Sequence, residues 1–446
     1  MYKRQLYGDG SAAIAGLTYD SRAVKPGDCF FAVPGTQSDG HDYIPSAVAK
    51  GAAAVVCERM PETAAEGVAY VVVEDSAGAF YGYPSRELKL VGITGTNGKT
   101  TTVTLLYDLV RALGYKAGLV STVVYKIDGR EIEATHTTPD PIRLNAMMRE
   151  MADAGCEFCF MECSSHAIVQ ERTRGLDFAG GIFSNITHDH LDYHKTFAEY
   201  IRAKKLFFDG LPKGAFALTN ADDRNGRVMV QNTAAAVSTY SLRAMADFRC
   251  KIVEMHLDGM LLRIDGQELW VGLLGRFNAY NLLAVYGAAV LLGLDRGEVL
   301  RVLSVLHAVS GRFEKVRAAN GTTAIVDYAH TPDALENVIQ TIGEIRTPGQ
   351  QLIVVCGCGG DRDRTKRPEI AVKYASTAIF TSDNPRHESP EAILDDMVAG
   401  LDPGVRYLRI ADRAEAIRTA VMLSRPGDIL LIAGKGHETY QIVGDV

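Results

Sequence analysis

Leu90-Val91-Gly92-Ile93-Thr94-Gly95-Thr96-Asn97-Gly98-Lys99-Thr100-Thr101-Thr102-Val103-Thr104-Leu105-Leu106-Tyr107 reads as an apolar strand, a glycine-containing loop and the first turns of a helix. A phosphate-binding loop requires that order of elements. Gly95 and Gly98 let the backbone N–H groups of Thr96, Asn97 and their neighbours approach phosphate oxygens, while the helix N-terminus adds its partial positive charge. Lys99 is of a length to bridge β- and γ-phosphates, and the hydroxyl of Thr100, followed by Thr101, suits Mg²⁺. The spacing departs from the usual one, because Ile93 stands five positions before Gly98 and glycines occupy 92 and 95 instead. A purely structural turn would not need a lysine and three threonines at the start of the helix.

On both sides of the loop, apolar β-branched runs alternate with helical stretches, the pattern of parallel sheets built from βαβ units. A length of 446 residues allows roughly three domains of about 150 residues each. The first, 1–84, has strands expected at 17–22, 29–33 and 53–57, a helix over 43–51, and a linker at Gly82-Tyr83-Pro84-Ser85. The second, 85–309, opens with a strand at 88–93 and is expected to be helix-rich. The third, 310–446, follows a hinge at Ser310-Gly311-Arg312 and shows five strands, at 323–328, 352–356, 378–382, 407–410 and 429–433. The expected fold class is α/β, with three domains: a small first one, a central P-loop ATPase-like parallel sheet and a C-terminal Rossmann-like domain.

Composition narrows the function classes. Lys and Arg total 47 against 54 Asp and Glu, a net charge of -7 with no long block of either sign. Nothing here draws the chain to nucleic acid or to an anionic membrane. No apolar run approaches the roughly 18 residues of a membrane span, and the opening Met1 to Gln5 is not followed by an apolar signal segment, so a cytoplasmic protein is expected. Eight cysteines are too sparse for a disulfide scaffold. Cys156, Cys159 and Cys163 read as small hydrophobes of one apolar strand, and Cys356 and Cys358 as those of another.

Three features outside the loop bear on chemistry. Phe158-Cys159-Phe160-Met161 ends in Glu162, where a neighbouring parallel strand would present a carboxylate beside the phosphate loop as a Mg²⁺ ligand. Thr187-His188-Asp189-His190-Leu191-Asp192-Tyr193-His194 follows another apolar stretch; a metal-ligating histidine and a hydrogen-bonded polar loop explain it equally well. Phe197, Ile201, Lys204 and Phe208 form one stripe on a 3.6-residue helix, with Tyr200 and Phe207 flanking the lysine and Arg202 and Lys205 pointing elsewhere. Such a lysine either snorkels its ammonium outward or is desolvated enough to capture CO₂ as a carbamate, an anionic oxygen ligand.

Taken in order, Thr94 to Thr102, His136-Thr137-Thr138-Pro139-Asp140-Pro141, Met161-Glu162-Cys163-Ser164-Ser165-His166, Asp189 to His194 and Ala203-Lys204 resemble the motifs of the Mur ligases. The likeness runs from Asp20-Ser21-Arg22 to Gly434-Lys435-Gly436-His437-Glu438, nearly the whole chain. It implies ATP-dependent, ADP-forming ligation of an amino acid to a UDP-muramoyl dipeptide, with Mg²⁺ as cofactor and Lys204 carbamylated. Lys99, Lys204 and His190 are the catalytic positions so implied, and Thr100, Glu162, His190 and Lys204 the metal positions. Asn278, Asn281, Arg312 and Asp327 resemble the remaining ATP contacts. Ser21, Thr137, Thr138, Ser164, Gln170 and Arg172 match positions that hold the UDP-muramoyl-peptide.

The added amino acid is implied by Asp383-Asn384-Pro385-Arg386, which leaves the strand at 378–382 and precedes the helix start Ser389-Pro390. Arginine here is similar to enzymes that add meso-2,6-diaminopimelate, whose extra carboxylate a guanidinium grips at two points; a structural pairing with Glu388 is the other reading. Gly434 and Glu438 are implied to meet the distal end of that amino acid. The partners expected are small molecules acting on a monomer, with no nucleic acid and no membrane insertion. The alternatives are the lysine-adding ligase and, in a different class, a P-loop nucleotide switch. The stretch from Val73 to Phe80 is expected to be short of a helix, and the family to have a further segment beyond Glu438.

Overall fold

The structure, a computed structural model, describes residues 5–35, 38–187, 191–319, 321–360 and 364–444, with backbone alone at Leu191 and Asp192. Three sheets carry three α/β domains. The first runs Gln5–Tyr7, Ala69–Val72, Ala54–Cys57, Cys29–Phe31, Leu17–Thr18, parallel except for its first pair. The strand expected over 17–22 ends at Thr18, because the Thr18 hydroxyl and the Asp20 carboxylate accept backbone N–H groups and fold the chain into a turn. The segment after Val73 does contain a helix, Ser76–Phe80, of five residues.

The central sheet has eleven strands, seven of them parallel, with Lys89–Thr94 between Phe158–Glu162 and Phe178–Phe183. The expectation of a merely helix-rich second domain is corrected at both edges. Val124–Ile127 and Arg130–Glu133 form a hairpin on one side; Phe248–His256, Gly259–Ile264 and Gln267–Val271 form a meander on the other. Two of these turns are Asp-Gly pairs with positive φ at both residues, Asp128-Gly129 at 44° and 91° and Asp265-Gly266 at 45° and 90°. Those angles match the right-handed twist of the strands they join.

The third sheet runs Glu314–Arg317, Thr323–Asp327, Ile429–Ala433, Leu352–Cys358, Thr377–Ser382, Leu408–Arg409. All five expected strands are present and parallel, and Glu314–Arg317 adds an antiparallel edge. No helix among the described residues is long and apolar enough to cross a membrane.

Packing around the central strand sets the chemistry-bearing helices. Lys99–Ala112 buries Val103, Leu105, Leu106, Leu109 and Val110 on one face of the sheet. Against the other lies Phe197–Asp209, which begins where the Thr196 hydroxyl accepts the Glu199 N–H at 3.2 Å. Its Phe207 ring comes so close to the strand that a Cβ at Gly92 would sit 2.6 Å from it. Only glycine at 92 lets this helix approach, and the approach brings Lys204 under the loop.

Candidate active site at the junction of the second and third domains

The loop turns through Gly95 and Gly98, at φ of 150° and 85°. A side chain at Gly98 would meet the Asn281 amide oxygen at 2.4 Å, so the glycine is required by both conformation and neighbour. Lys99 Nζ donates to the carbonyls of Gly95 at 3.0 Å and Thr96 at 2.8 Å. The buried Thr100 hydroxyl donates to Glu162 at 2.8 Å and accepts from the Arg312 guanidinium of the third domain at 3.2 Å. Buried Thr101 follows on the same turn.

Glu162 lies where the sequence put it, at the end of the adjacent parallel strand opposite Ile93. It is 1% exposed and also accepts the backbone N–H of Thr122 at 2.8 Å and the Thr122 hydroxyl at 3.1 Å. A hydroxyl and a carboxylate are the hard oxygen donors that Mg²⁺ selects, so the two side chains fit that ion. His190, with His188 and Asp189, lies outside the described residues. Among the described residues no three His, Cys, Asp or Glu side chains converge on a metal. The thiols of Cys159 and Cys163 are pushed up by burial, as expected of inert hydrophobes.

Lys204 is 1% exposed, and its Nζ donates to the Gly95 carbonyl at 2.8 Å while standing 4.6 Å from the centre of the Tyr200 ring. The outward-snorkelling alternative is thereby corrected: helix register turns the amine into the loop. Tyr200 extends the arrangement, with its hydroxyl 3.2 Å from that of Thr96. Arg202 is exposed as expected, but Lys205 is buried, folded back onto Asp209 at 2.5 Å one helical turn on.

A cleft of about 620 Å³ opens over the loop, lined from the central domain by Asn278, Asn281 and Lys204 and from the third by Arg312, Asp327 and Asp333. Asn278 and Asn281 lock each other, Nδ2 of Asn281 donating to Oδ1 of Asn278 at 3.1 Å. Arg312 lies 4.3 Å from the centre of the Tyr328 ring. Asp327 accepts the N–H groups of Phe313 and Ala329, each at 2.7 Å, and burial pushes its carboxyl up. Asp333 closes the cleft by accepting from Asn97 at 3.1 Å and from Thr187 at 3.3 Å.

Beside Glu162 a second group assembles. Thr138 donates to the Glu162 carbonyl at 2.8 Å, Thr137 accepts from Thr122 at 3.2 Å, and Ser164 caps the helix Ser165–Val169. Arg172 donates to the Thr138 carbonyl at 2.7 Å and to the Gln170 amide oxygen at 2.6 Å. Ser21 stands apart in the first domain, in the turn after Leu17–Thr18, its carbonyl taking Lys50 Nζ at 2.9 Å.

At the carboxyl ends of the third sheet, Asp383, Asn384, Pro385 and Arg386 meet Gly434 and Glu438. Asn384 donates to Glu438 at 3.1 Å, and a Cβ at Gly434 would lie 2.7 Å from the Asp383 carboxylate. Arg386, at φ of 54°, donates to the Gly360 carbonyl at 2.6 Å. The alternative of an Arg386–Glu388 pair is not what forms; Arg364 binds Glu388. The Gly434 N–H donates to the Asp327 carbonyl at 3.0 Å, which couples this loop to the ATP cleft.

Family models match along the whole chain: "Mur ligase family, catalytic domain" at residues 13–80, "Mur ligase middle domain" at 93–289 and "Mur ligase, glutamate ligase domain" at 311–436. The UDP-N-acetylmuramoyl-L-alanyl-D-glutamate--2,6-diaminopimelate ligase of Phocaeicola vulgatus is 56% identical over 98% of this chain and 93% of its own. The chain belongs to the Mur ligase family. The Geobacillus thermodenitrificans protein of the same name is 44% identical over 98% of this chain and 92% of its own. A solved ligase of that name has 33% identity and a TM-score of 0.70, covering 97% and 92% of the two chains. The fold alone is shared with the MurF ligase of Thermotoga maritima in complex with ADP, 18% identical at a TM-score of 0.61 over 96% of each chain.

Four residues of this Mur ligase were not anticipated. Thr122, in a loop, and Asp333, in the first turn of the helix Pro332–Ile345, are single polar residues that only the tertiary structure brings to Glu162 and to Asn97. Arg413 donates to the carbonyls of Ser382 at 3.3 Å and Ala433 at 2.9 Å, the last residues of two strands. Lys435 sits between Asn384 and Glu438, and its lysine between two glycines in an otherwise apolar strand end was a visible signal.

Proposed function

We propose that this Mur ligase joins meso-2,6-diaminopimelate to UDP-N-acetylmuramoyl-L-alanyl-D-glutamate, converting ATP to ADP and phosphate, for peptidoglycan precursor synthesis. The observation that carries the reading is the assembly around the loop, where Lys99, Thr100, Glu162 and buried Lys204 share one cleft with Arg312. A carboxylate is a poor acyl donor, because its leaving group would be oxide. Attack of the dipeptide's terminal carboxylate oxygen on the γ-phosphorus, with ADP leaving, gives an acyl phosphate. The amine of diaminopimelate then adds to that carbonyl, and collapse of the tetrahedral intermediate expels phosphate, the amine's surplus proton passing to solvent.

Two anions must meet, so the site's task is charge neutralisation and alignment. Lys99 and Arg312 are the proposed γ-phosphate partners. The loop from Gly95 to Thr101 holds the phosphates, Asn278 and Asn281 the adenine side, and Asp327 the ribose. Thr100 and Glu162 would hold Mg²⁺, with His190 and Lys204 completing the metal positions; bound there, the ion supplies positive charge to the phosphate oxygens. We assign Lys204 as a carbamate, formed when its neutral amine adds to CO₂ with loss of one proton. The burial of Lys204, 1% exposed, supports this, since desolvation favours the neutral amine.

Ser21 is assigned to the uridine nucleotide, and Thr137, Thr138, Ser164, Gln170 and Arg172 to the muramoyl-peptide. Asp383, Asn384, Pro385, Arg386, Gly434 and Glu438 are assigned to diaminopimelate. The working unit is one chain, with domains at 1–84, 85–309 and 310–446. Its proposed compartment is the cytoplasm, supported by eight cysteines that are all buried and form no disulfide among the described residues. Mass spectrometry of the product formed from the UDP-dipeptide, ATP and an equimolar mixture of diaminopimelate and lysine tests the assignment. Incorporation of diaminopimelate is expected. Incorporation of lysine, or phosphate release without any acceptor, would refute it.

A further inference from the structure

Of the two carboxylates assigned to diaminopimelate, Asp383 and Glu438, the latter is the one set against its distal end, yet an ammonium of the protein already occupies it. Lys435, 7% exposed, donates to Glu438 Oε2 at 2.7 Å and to Asn384 Oδ1 at 2.8 Å. Asn384 cannot turn away: its Oδ1 also accepts the Ile442 N–H at 3.1 Å, and its Nδ2 donates to the same Glu438 oxygen at 3.1 Å. The Tyr328 phenol stands near enough that burial and then the charge of Glu438 push it up. Arg413, behind the two strand ends, feels the charges of Asp383 and Glu438. The carboxylates of the loop are thus already balanced by fixed cations.

An incoming ammonium with nothing beside it would have to share Glu438 with Lys435, two like charges on one carboxylate in a buried setting where water screens them little. A terminus that brings its own carboxylate with its ammonium, as diaminopimelate does, offers that carboxylate to Lys435 and Arg386 and removes the conflict. We propose that Lys435 is a specificity-determining residue, which rejects a lone side-chain ammonium by pre-occupying Glu438 and accepts a zwitterionic terminus. This rests on the proposed function above and adds a repulsive element to the attractive grip of Arg386.

The test compares kcat/KM for diaminopimelate and for lysine in the wild-type enzyme, Lys435→Met, Lys435→Gln and Lys435→Arg, each checked for folding by its thermal melt. The two neutral variants are expected to lose at least tenfold of the diaminopimelate-to-lysine preference, part of it through better use of lysine, while Lys435→Arg keeps most of it. Calorimetric titration of the two amino acids gives the same comparison without turnover. Equal losses for both amino acids in the neutral variants, or a preference unchanged from wild type, would overturn the role. A wild-type enzyme with no preference for diaminopimelate would instead overturn the proposed function, a result read before any variant is made.

Discussion

Lys204 has exchanged hydration for the Gly95 carbonyl and the face of Tyr200, an arrangement that stability alone does not call for, because a buried ammonium is costly to desolvate. Replacing it by alanine is expected to lower kcat by on the order of 100-fold or more, because the assigned carbamate would help hold the cation that faces the developing anion. Nucleotide binding, measured by calorimetry with ADP, should change far less. Asp75 is a second residue held against its preference. It caps Ser76–Phe80 through the Gly78 N–H, its other oxygen is buried without a partner, and burial, then the charge of Glu58, pushes its carboxyl up to about 6. A raised carboxylate stabilises the fold at acid pH and loses that contribution as pH climbs from about 4 through 6. Asp75→Asn keeps a good capping residue and removes the buried charge. Its unfolding free energy should exceed wild type by on the order of 2–3 kcal/mol at pH 8 and match it near pH 4, as read by urea denaturation.

Elements bring these side chains together through contacts with almost no spare room. Gly92 in the central strand faces the Phe207 ring, Cys163 Sγ and the Phe178 ring, all within 2.9 Å of where a Cβ would be. Gly92→Ala should therefore cost about 1–3 kcal/mol by overpacking and displace the helix that carries Lys204, so urea midpoint and kcat should fall together. The helix Pro332–Ile345 reaches the loop with its first turn, where Asp333 accepts from Asn97 and Thr187. Asp333→Ala is expected to raise KM for ATP about tenfold or more, with little loss of thermal stability. The strand-loop-helix at 90–107 and the stripe at Phe197 to Phe208 were legible in the sequence because local periodicity and capping determine them. The edge hairpins were legible in principle from Asp128-Gly129 and Asp265-Gly266; Arg130–Glu133 is short and largely solvated, whereas Gly259–Ile264 buries Met260, Leu262 and Ile264 in the alternation of a strand. Thr122, Asp333 and Arg413 were not anticipated, since their partners come from remote segments and no local pattern specifies that meeting; Lys435 carried a local signal, with Glu438 one turn on, but its other partner, Asn384, comes from another loop.

Across the whole molecule, the three domains meet through apolar packing, such as Phe277 against Phe313 and Ile142 against the first-domain core, and through individual polar contacts. Arg312 meets Thr100, and Lys315 donates to the carbonyls of Leu257 and Asp258 at 3.2 and 3.1 Å, binding the third domain to the second. Arg174 meets Glu58 at 3.3 Å, binding the second to the first. The polar contacts at Arg312 and Asp333 lie in the cleft itself, where the second and third domains close over the reacting groups and exclude water. What closure must bring together is a carboxylate and a γ-phosphate, and the central claim is that a covalent acyl phosphate forms between them before any amine reacts. Dipeptide substrate labelled with ¹⁸O in its terminal carboxylate reports on this directly. One labelled oxygen is expected in inorganic phosphate for each tripeptide made; unlabelled phosphate released alongside tripeptide would contradict an acyl phosphate.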